Sequence, residues 1–226
     1  MGRYPSSASN PIELDASSDI TSLMRDDAAG RIDFSAAGRD RDIHLGQAWI
    51  EAAEAEPALK AKIVRAAVDM VASAVVAERY LALEILRHVT DKSVPGALRR
   101  AFEANPKAFV GVTKPDVRRE TLFLSWLGAL GHNLTVDRAE AKKAVVAATP
   151  FLALEEAGNY SIILHTEVGT PFRSWLPAAL AHAADQRYEA FASMVPKSEW
   201  DDALAAMATA PAADRTKLKR VLEKRR

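Results

Sequence analysis

The chain has 226 residues, of which 49% are hydrophobic and 27% charged, and its 30 basic and 30 acidic side chains give no net charge. A chain of this length buries about 70% of its unfolded surface on folding and needs no covalent staple. These values exclude a disordered chain, a collagen repeat and a polyelectrolyte. The absence of cysteine excludes disulfide scaffolds, thiol nucleophiles and zinc ribbons, and it suits a reducing compartment, so we expect a cytoplasmic protein.

The first fourteen residues are rich in serine, proline and asparagine, which predicts a flexible arm. A single all-helical domain is expected over residues 15–226, because 44 residues are alanine, the strongest helix former, and strand patterns are scarce. The one strand-like run, residues 160–166, lacks regular alternation and is interpreted as a buried helix. No apolar stretch is long enough to span a membrane, and the first residues lack the apolar core of a signal sequence. The alanine- and arginine-rich composition also suits a GC-rich bacterial genome.

Apolar spacing predicts a short helix over 17–29, ended by Gly30, and another over 42–54. A one-sided apolar stripe over 58–75 and a second helix over 77–89 predict a helical hairpin. Four more hairpins are expected: 94–104 with 115–130, 135–157 with 160–167, 171–184 with 187–194, and 198–208 with 212–225.

The midpoints of these hairpins recur every 30 to 40 residues or so, which is the period of stacked helical-hairpin repeats. Segments 60–67 and 142–148 resemble each other in sequence, as do segments 83–89 and 162–168. Over residues 57–225 the chain resembles HEAT-like α-solenoids in its architecture. The resemblance implies stacked antiparallel hairpins with an extended binding surface. A compact multi-helix bundle is the alternative, because one sequence does not distinguish stacked hairpins from globally packed ones.

Residues capable of chemistry form no recognisable catalytic motif. Glu84 and His88 share a helix face at the spacing of metal ligands, but no second ligand pair accompanies them. Ser125 and Ser174 lack a nucleophile elbow, and the chain has no glycine-rich phosphate loop. We therefore expect no catalytic residue, no metal and no cofactor, and a protein that is not an enzyme.

The most distinctive local sequence is 170–177, in which two prolines bracket aromatic and arginine side chains, the residue types of interaction hot spots. The leading hypothesis is a soluble protein–protein interaction module of the adaptor, assembly-factor or toxin-neutralising kind. Inward packing of the two aromatic side chains is the alternative for this segment. Truncation after Ala213 is expected to abolish partner capture without loss of helicity. The expected partner-binding residues are Phe172, Arg173, Trp175, Arg215, Lys219 and Arg220.

Charge is arranged in blocks, with net charges of −6 over 1–56, +6 over 57–119, −5 over 120–213 and +5 over 214–226. The basic block suggests an alternative function: a HEAT-like nucleic-acid-binding protein or DNA glycosylase-like enzyme that uses its 87–119 surface. The zero net charge and the lack of interleaved aromatic side chains favour a protein partner over nucleic acid. No membrane partner is expected. The residues expected to contact phosphate are Arg99, Arg100, Arg118 and Arg119.

Overall fold

The computed structural model describes residues 2–4, 12–15, 17–32, 46–113, 121–151 and 158–225. These residues fall into two compact units, 1–137 and 138–226. The single helical domain over residues 15–226 stays a prediction. The all-helical fold class is confirmed. Both predicted arrangements, stacked hairpins and a compact bundle, are consistent with the helix contacts of each unit.

The first unit begins with a short antiparallel pair of strands, β1 (Gly2–Tyr4) and β2 (Ile12–Leu14). This pairing lies within the segment predicted as a flexible arm. The helices of the first unit are α1 (Ile20–Ala28), α2 (Gln47–Ala55), α3 (Pro57–Val71), α4 (Val76–Leu86), α5 (Val94–Ala104) and α6 (Leu122–His132).

Helices α3 and α4 form the predicted hairpin at the centre of the first unit. Helix α3 begins at Pro57, whose fixed φ and missing N–H suit a first turn, and its Leu59, Ile63 and Met70 are fully buried. It contacts α1, α2 and α5, whereas α4 contacts α1 and α6. The one-sided stripe seen in the sequence is therefore the core face of α3.

The second unit contains six helices and no strand among its described residues. Helix α8 includes the strand-like run 160–166, so the helical prediction is confirmed there. The six are α7 (Arg138–Ala148), α8 (Gly158–Val168), α9 (Leu176–Leu180), α10 (Asp185–Met194), α11 (Trp200–Ala206) and α12 (Ala212–Glu223).

The core of the second unit is built from α8 to α12. Helix α8 contacts α7 and α10, and α12 contacts α10 and α11. The rings of Trp175, Tyr188 and Phe191 are buried there together with Trp200. Helix α9 has only five residues, so the predicted hairpin of 171–184 with 187–194 is replaced by packing of α10 on α8 and α12. In the part of the chain that the structure describes, no helix is both long and apolar enough to cross a membrane.

Candidate functional site

A cleft of about 820 Å³ lies in the second unit, between the end of α8, the end of α10 and helix α11. This volume falls in the range of sites for small ligands or a few residues of peptide. The apolar part of its lining includes Phe172, Met194, Pro196 and Ala205. The side chains that can form hydrogen bonds or ion pairs are His165, Thr166, Thr170, Arg173, Glu199, Asp202 and Thr209.

The last turn of α8 and the turn after it contain residues that form the floor of the cleft: His165, Thr166, Gly169 and Thr170. Gly169 has φ +65°, a left-handed conformation that glycine adopts without strain. The N–H of Thr170 donates to the carbonyl of His165 at 3.1 Å, and the N–H of Gly169 donates to that of Thr166 at 3.2 Å. These are the two hydrogen bonds of a Schellman motif. The motif ends the helix and places Thr170 beside its last turn.

Two copies of one local motif frame the cleft. In each, proline starts a short 3-10 turn and a buried tryptophan follows four residues after the proline. The indole N–H of Trp175 donates to the carbonyl of Thr170 at 3.2 Å, and that of Trp200 donates to Val195 at 3.1 Å. The two turns have the same design, and residues from both line the cleft.

The orientation of His165 follows from its neighbours. The hydroxyl of Thr149 donates to the carbonyl of Val145 at 3.0 Å and lies 3.2 Å from Nε2 of His165. A hydroxyl has a single proton, and that of Thr149 is directed to Val145, so we assign the ring proton to Nε2 as the donor to Thr149, which leaves Nδ1 as an acceptor. Burial lowers the pKa of His165 to about 3. The imidazole is therefore neutral near pH 7.

Three buried polar atoms of the cleft have no hydrogen-bond partner among the described residues: Nδ1 of His165 and the hydroxyls of Thr166 and Thr170. Such an atom costs about 1–3 kcal/mol when it is removed from water and left unpaired. Native proteins pair most buried polar atoms, so a group of three within six residues calls for an explanation. Binding of a polar ligand would supply one.

The charged side chains of the cleft are exposed and have no ion-pair partner among the described residues. Arg173 is exposed, as are Glu199 before α11 and Asp202 in its first turn. None of them forms an ion pair within the part of the chain that the structure describes. They are available to a partner at no cost of breaking an internal contact.

The segment predicted to bind a partner divides into surface and core residues. Phe172 is half-buried and packs against the rings of Trp175 and Phe191, with centroids 5.9 Å and 5.8 Å away. Phe172 and Arg173 line the cleft. Trp175 is only 1% exposed, so it lies behind the surface and does not form part of it. For Trp175 the alternative of inward packing therefore holds.

The predicted partner-binding residues of the C-terminal segment lie on α12, outside the cleft lining. Arg215 donates to the carbonyl of Ala208 at 3.1 Å, and Arg220 lies 3.3 Å from the carboxylate of Asp185. Lys219 lies 3.8 Å from the carboxylate of Glu223 on its own helix. Each of these exposed cations therefore has a contact within the second unit.

The residues predicted to contact nucleic acid are described only in part. Arg99 donates to the carboxylate of Glu103 at 2.6 Å, and Arg100 is exposed on the same helix. Arg118 and Arg119 lie outside the described residues. The nucleic-acid surface stays a prediction.

In the described part of the chain, the structure does not bring further metal ligands close to Glu84 and His88, the pair whose spacing resembles that of metal ligands. Glu84 accepts hydrogen bonds from Ser125 at 3.2 Å and from Arg87 at 3.1 Å, and His88 is exposed. Among the described residues there is no group of three histidine, aspartate or glutamate side chains that could hold a metal ion.

No model of a protein family matches this chain, and neither a curated protein nor a solved structure does.

Proposed function

We propose that the chain is a non-catalytic protein–protein interaction module whose second unit binds a partner protein at the cleft. The observation that carries this proposal is a set of available charges: Arg173, Glu199 and Asp202 line one cleft and form no ion pair with any residue that the structure describes. They stand beside the half-buried Phe172 and the 39% exposed Met194. Aromatic, methionine and arginine side chains are enriched at protein interfaces, and charged groups there choose the partner.

The cleft offers little support for catalysis. A nucleophile and its base must lie within hydrogen-bond reach of each other, yet the hydroxyls of Thr166 and Thr170 are not bonded to His165. An adaptor, an assembly factor or a toxin-neutralising protein would fit such a module. We place it in the cytoplasm, because a chain without cysteine suits a reducing compartment.

The test is site-specific photo-crosslinking in the native cell with a benzoylphenylalanine in place of Phe172. We expect one cross-linked protein, identified by mass spectrometry, and a loss of the cross-link when Arg173→Glu is added. For the purified pair, reversal of this charge should weaken binding by roughly 30-fold or more, as truncation of a desolvated interface charge does.

Lys143→Glu is the matched control, because Lys143 is an exposed cation of the same unit that does not line the cleft. It should leave both the cross-link and the affinity unchanged. The proposal is wrong if no protein is cross-linked from position 172, or if the two charge reversals have equal effects.

A further inference from the structure

The polar groups of the cleft are chiefly acceptors of hydrogen bonds. Nδ1 of His165 is a bare acceptor, because Nε2 carries the ring proton. The hydroxyls of Thr166 and Thr170 have free lone pairs, and the carboxylates of Glu199 and Asp202 accept only. A ligand group with several donors and no acceptor would therefore satisfy them together.

The charge of the lining favours a cation. Among the residues that the structure describes, two carboxylates and one guanidinium line the cleft, which gives them a net charge of −1 with His165 neutral. Arg173 is the single cation that the described part of the chain contributes to the lining, and it can pair with a carbonyl or carboxylate of the partner beside the bound cation.

The apolar part of the lining favours an organic cation over a simple metal ion. Phe172, Met194 and Ala205 offer surface to a hydrocarbon chain, which an inorganic ion would leave uncovered. Lysine and arginine side chains bury a methylene stem along apolar surface while their charged ends remain hydrogen-bonded. Such a side chain would cover the apolar lining with its stem and offer its charged end to the acceptors and carboxylates.

The geometry points to a lysine or arginine side chain of the partner protein as the group that enters this cleft, an inference that rests on the proposed function. The stem packs against Phe172 and Met194. The charge of its end is balanced by the exposed Glu199 and Asp202. Nδ1 of His165 and the threonine hydroxyls have almost no accessible surface in the unbound chain, so the charged end donates to them only after side chains of the cleft floor shift to expose them.

The test is an NMR titration of the full chain with the capped peptide acetyl-Gly-Lys-Gly-amide and its arginine counterpart. Saturable shifts should appear in the amide signals of the cleft residues. The same peptide with norleucine has the hydrocarbon stem without the charge and should bind at least about tenfold more weakly, since a hydrogen bond to a charged group typically contributes that much. Equal binding of the norleucine peptide would overturn the inference.

A free amine is the other source of the same chemistry, and n-butylamine tests it. The amine lacks the peptide backbone that Arg173 can contact, so it should bind more weakly than the lysine peptide. Butylamine that binds as tightly as the peptide would show that the cleft does not recognise a protein side chain, and would contradict the inference.

Variants of the carboxylates locate the site. Glu199→Gln combined with Asp202→Asn should weaken binding of the lysine peptide by about tenfold or more. The matched control is Asp201→Asn, which removes one charge from the neighbouring residue of the same helix, outside the cleft lining. Because all three side chains are exposed, circular dichroism should show that every variant remains folded. Equal loss in the control and the double variant would contradict a specific site.

The two proposals fail in different ways. If a partner is cross-linked from position 172 and is sensitive to Arg173→Glu, but neither basic peptide binds, the proposed function holds and the basic-side-chain inference is wrong. If the basic peptides bind and the carboxylate variants abolish this, but no partner is cross-linked, the proposed function is wrong, because the titration measures the cleft itself.

Discussion

The imidazole of His165 lies flat on the indole of Trp175, with ring centroids 4.5 Å apart and planes that differ by 2°. The same indole donates its N–H to the carbonyl of Thr170. Trp175 therefore holds two residues of the cleft floor in place from the core. A tryptophan that does not reach the surface can in this way still shape the site.

Trp175→Phe should damage the cleft more than Trp200→Phe does. Both indoles are buried and donate to a carbonyl five residues earlier, so each substitution should cost about 1–2 kcal/mol of unfolding free energy. Only Trp175 stacks on His165. Urea unfolding should show similar losses of unfolding free energy for the two variants, whereas the affinity of the cleft for the lysine peptide should fall only for Trp175→Phe. Equal losses of binding would show that Trp175 has no particular role in the cleft.

Acid should destabilise the fold through His165. Burial lowers its pKa to about 3, whereas the unfolded side chain titrates near 6.5. Between these values the unfolded chain binds a proton that the folded chain does not, so stability falls as the pH drops below about 6.5, by about 1.4 kcal/mol per pH unit. Above pH 6.5 the residue is neutral in both states and contributes no pH dependence.

His165→Phe isolates this contribution, because phenylalanine keeps a ring against Trp175 and cannot titrate. From pH 7 to pH 5 the unaltered chain should lose about 2 kcal/mol more unfolding free energy in urea than the variant does. Nitrogen-15 NMR of the imidazole should show a proton on Nε2. Equal losses in the two chains would contradict the assignment of His165 as a buried neutral base.

Helix α12 is predicted to be a structural part of the second unit. Its Leu218, Val221 and Leu222 are buried in the core, and the buried Asp214 accepts from the N–H of His182 at 3.3 Å and lies 3.0 Å from the hydroxyl of Tyr188. Truncation after Ala213 would remove all of these contacts. We therefore expect, contrary to the sequence-based prediction, that truncation after Ala213 reduces the helicity of the chain.

Point variants can separate structure from binding on α12. Leu218→Ala should cost about 2–5 kcal/mol of unfolding free energy, since it leaves a cavity in the core. Arg220→Glu, on the exposed face, should change stability by less than about 1 kcal/mol, because it loses a surface ion pair with Asp185. Circular dichroism that shows full helicity in the chain truncated after Ala213 would contradict this account.

The elements that sequence predicts well are those determined by local periodicity. The stripe of α3 and its first-turn proline at residue 57 required no knowledge of any partner helix. Helix α8 was predictable because residues 160–166 lack the alternation of a half-buried strand. Phe172 and Arg173, which the local sequence between two prolines singled out, line the cleft, and their role in binding a partner stays a prediction.

The rest of the cleft depends on contacts between residues distant in the sequence. His165 and Glu199 are 34 positions apart, and no pattern in the sequence shows that they line one cavity. The assignment of Nδ1 as an acceptor depends on Thr149, 16 positions earlier in the sequence, which lies 3.2 Å from Nε2. One signal was present: the Pro-x-x-x-Trp motif occurs at 171–175 and again at 196–200, and both copies border the cleft.

The most direct measurement compares stability and binding in one variant, Thr166→Val with Thr170→Val. Valine has nearly the shape of threonine, and the two hydroxyls have no hydrogen-bond partner among the described residues. If the hydroxyls serve a ligand, the variant should unfold in urea at an equal or higher concentration while its affinity for the lysine peptide falls by about tenfold. Thr149→Val should instead lower stability, because that hydroxyl is bonded to both Val145 and His165. Unchanged affinity in the double variant, or a loss of stability as large as that of Thr149→Val, would contradict the central claim that the cleft floor is a binding site.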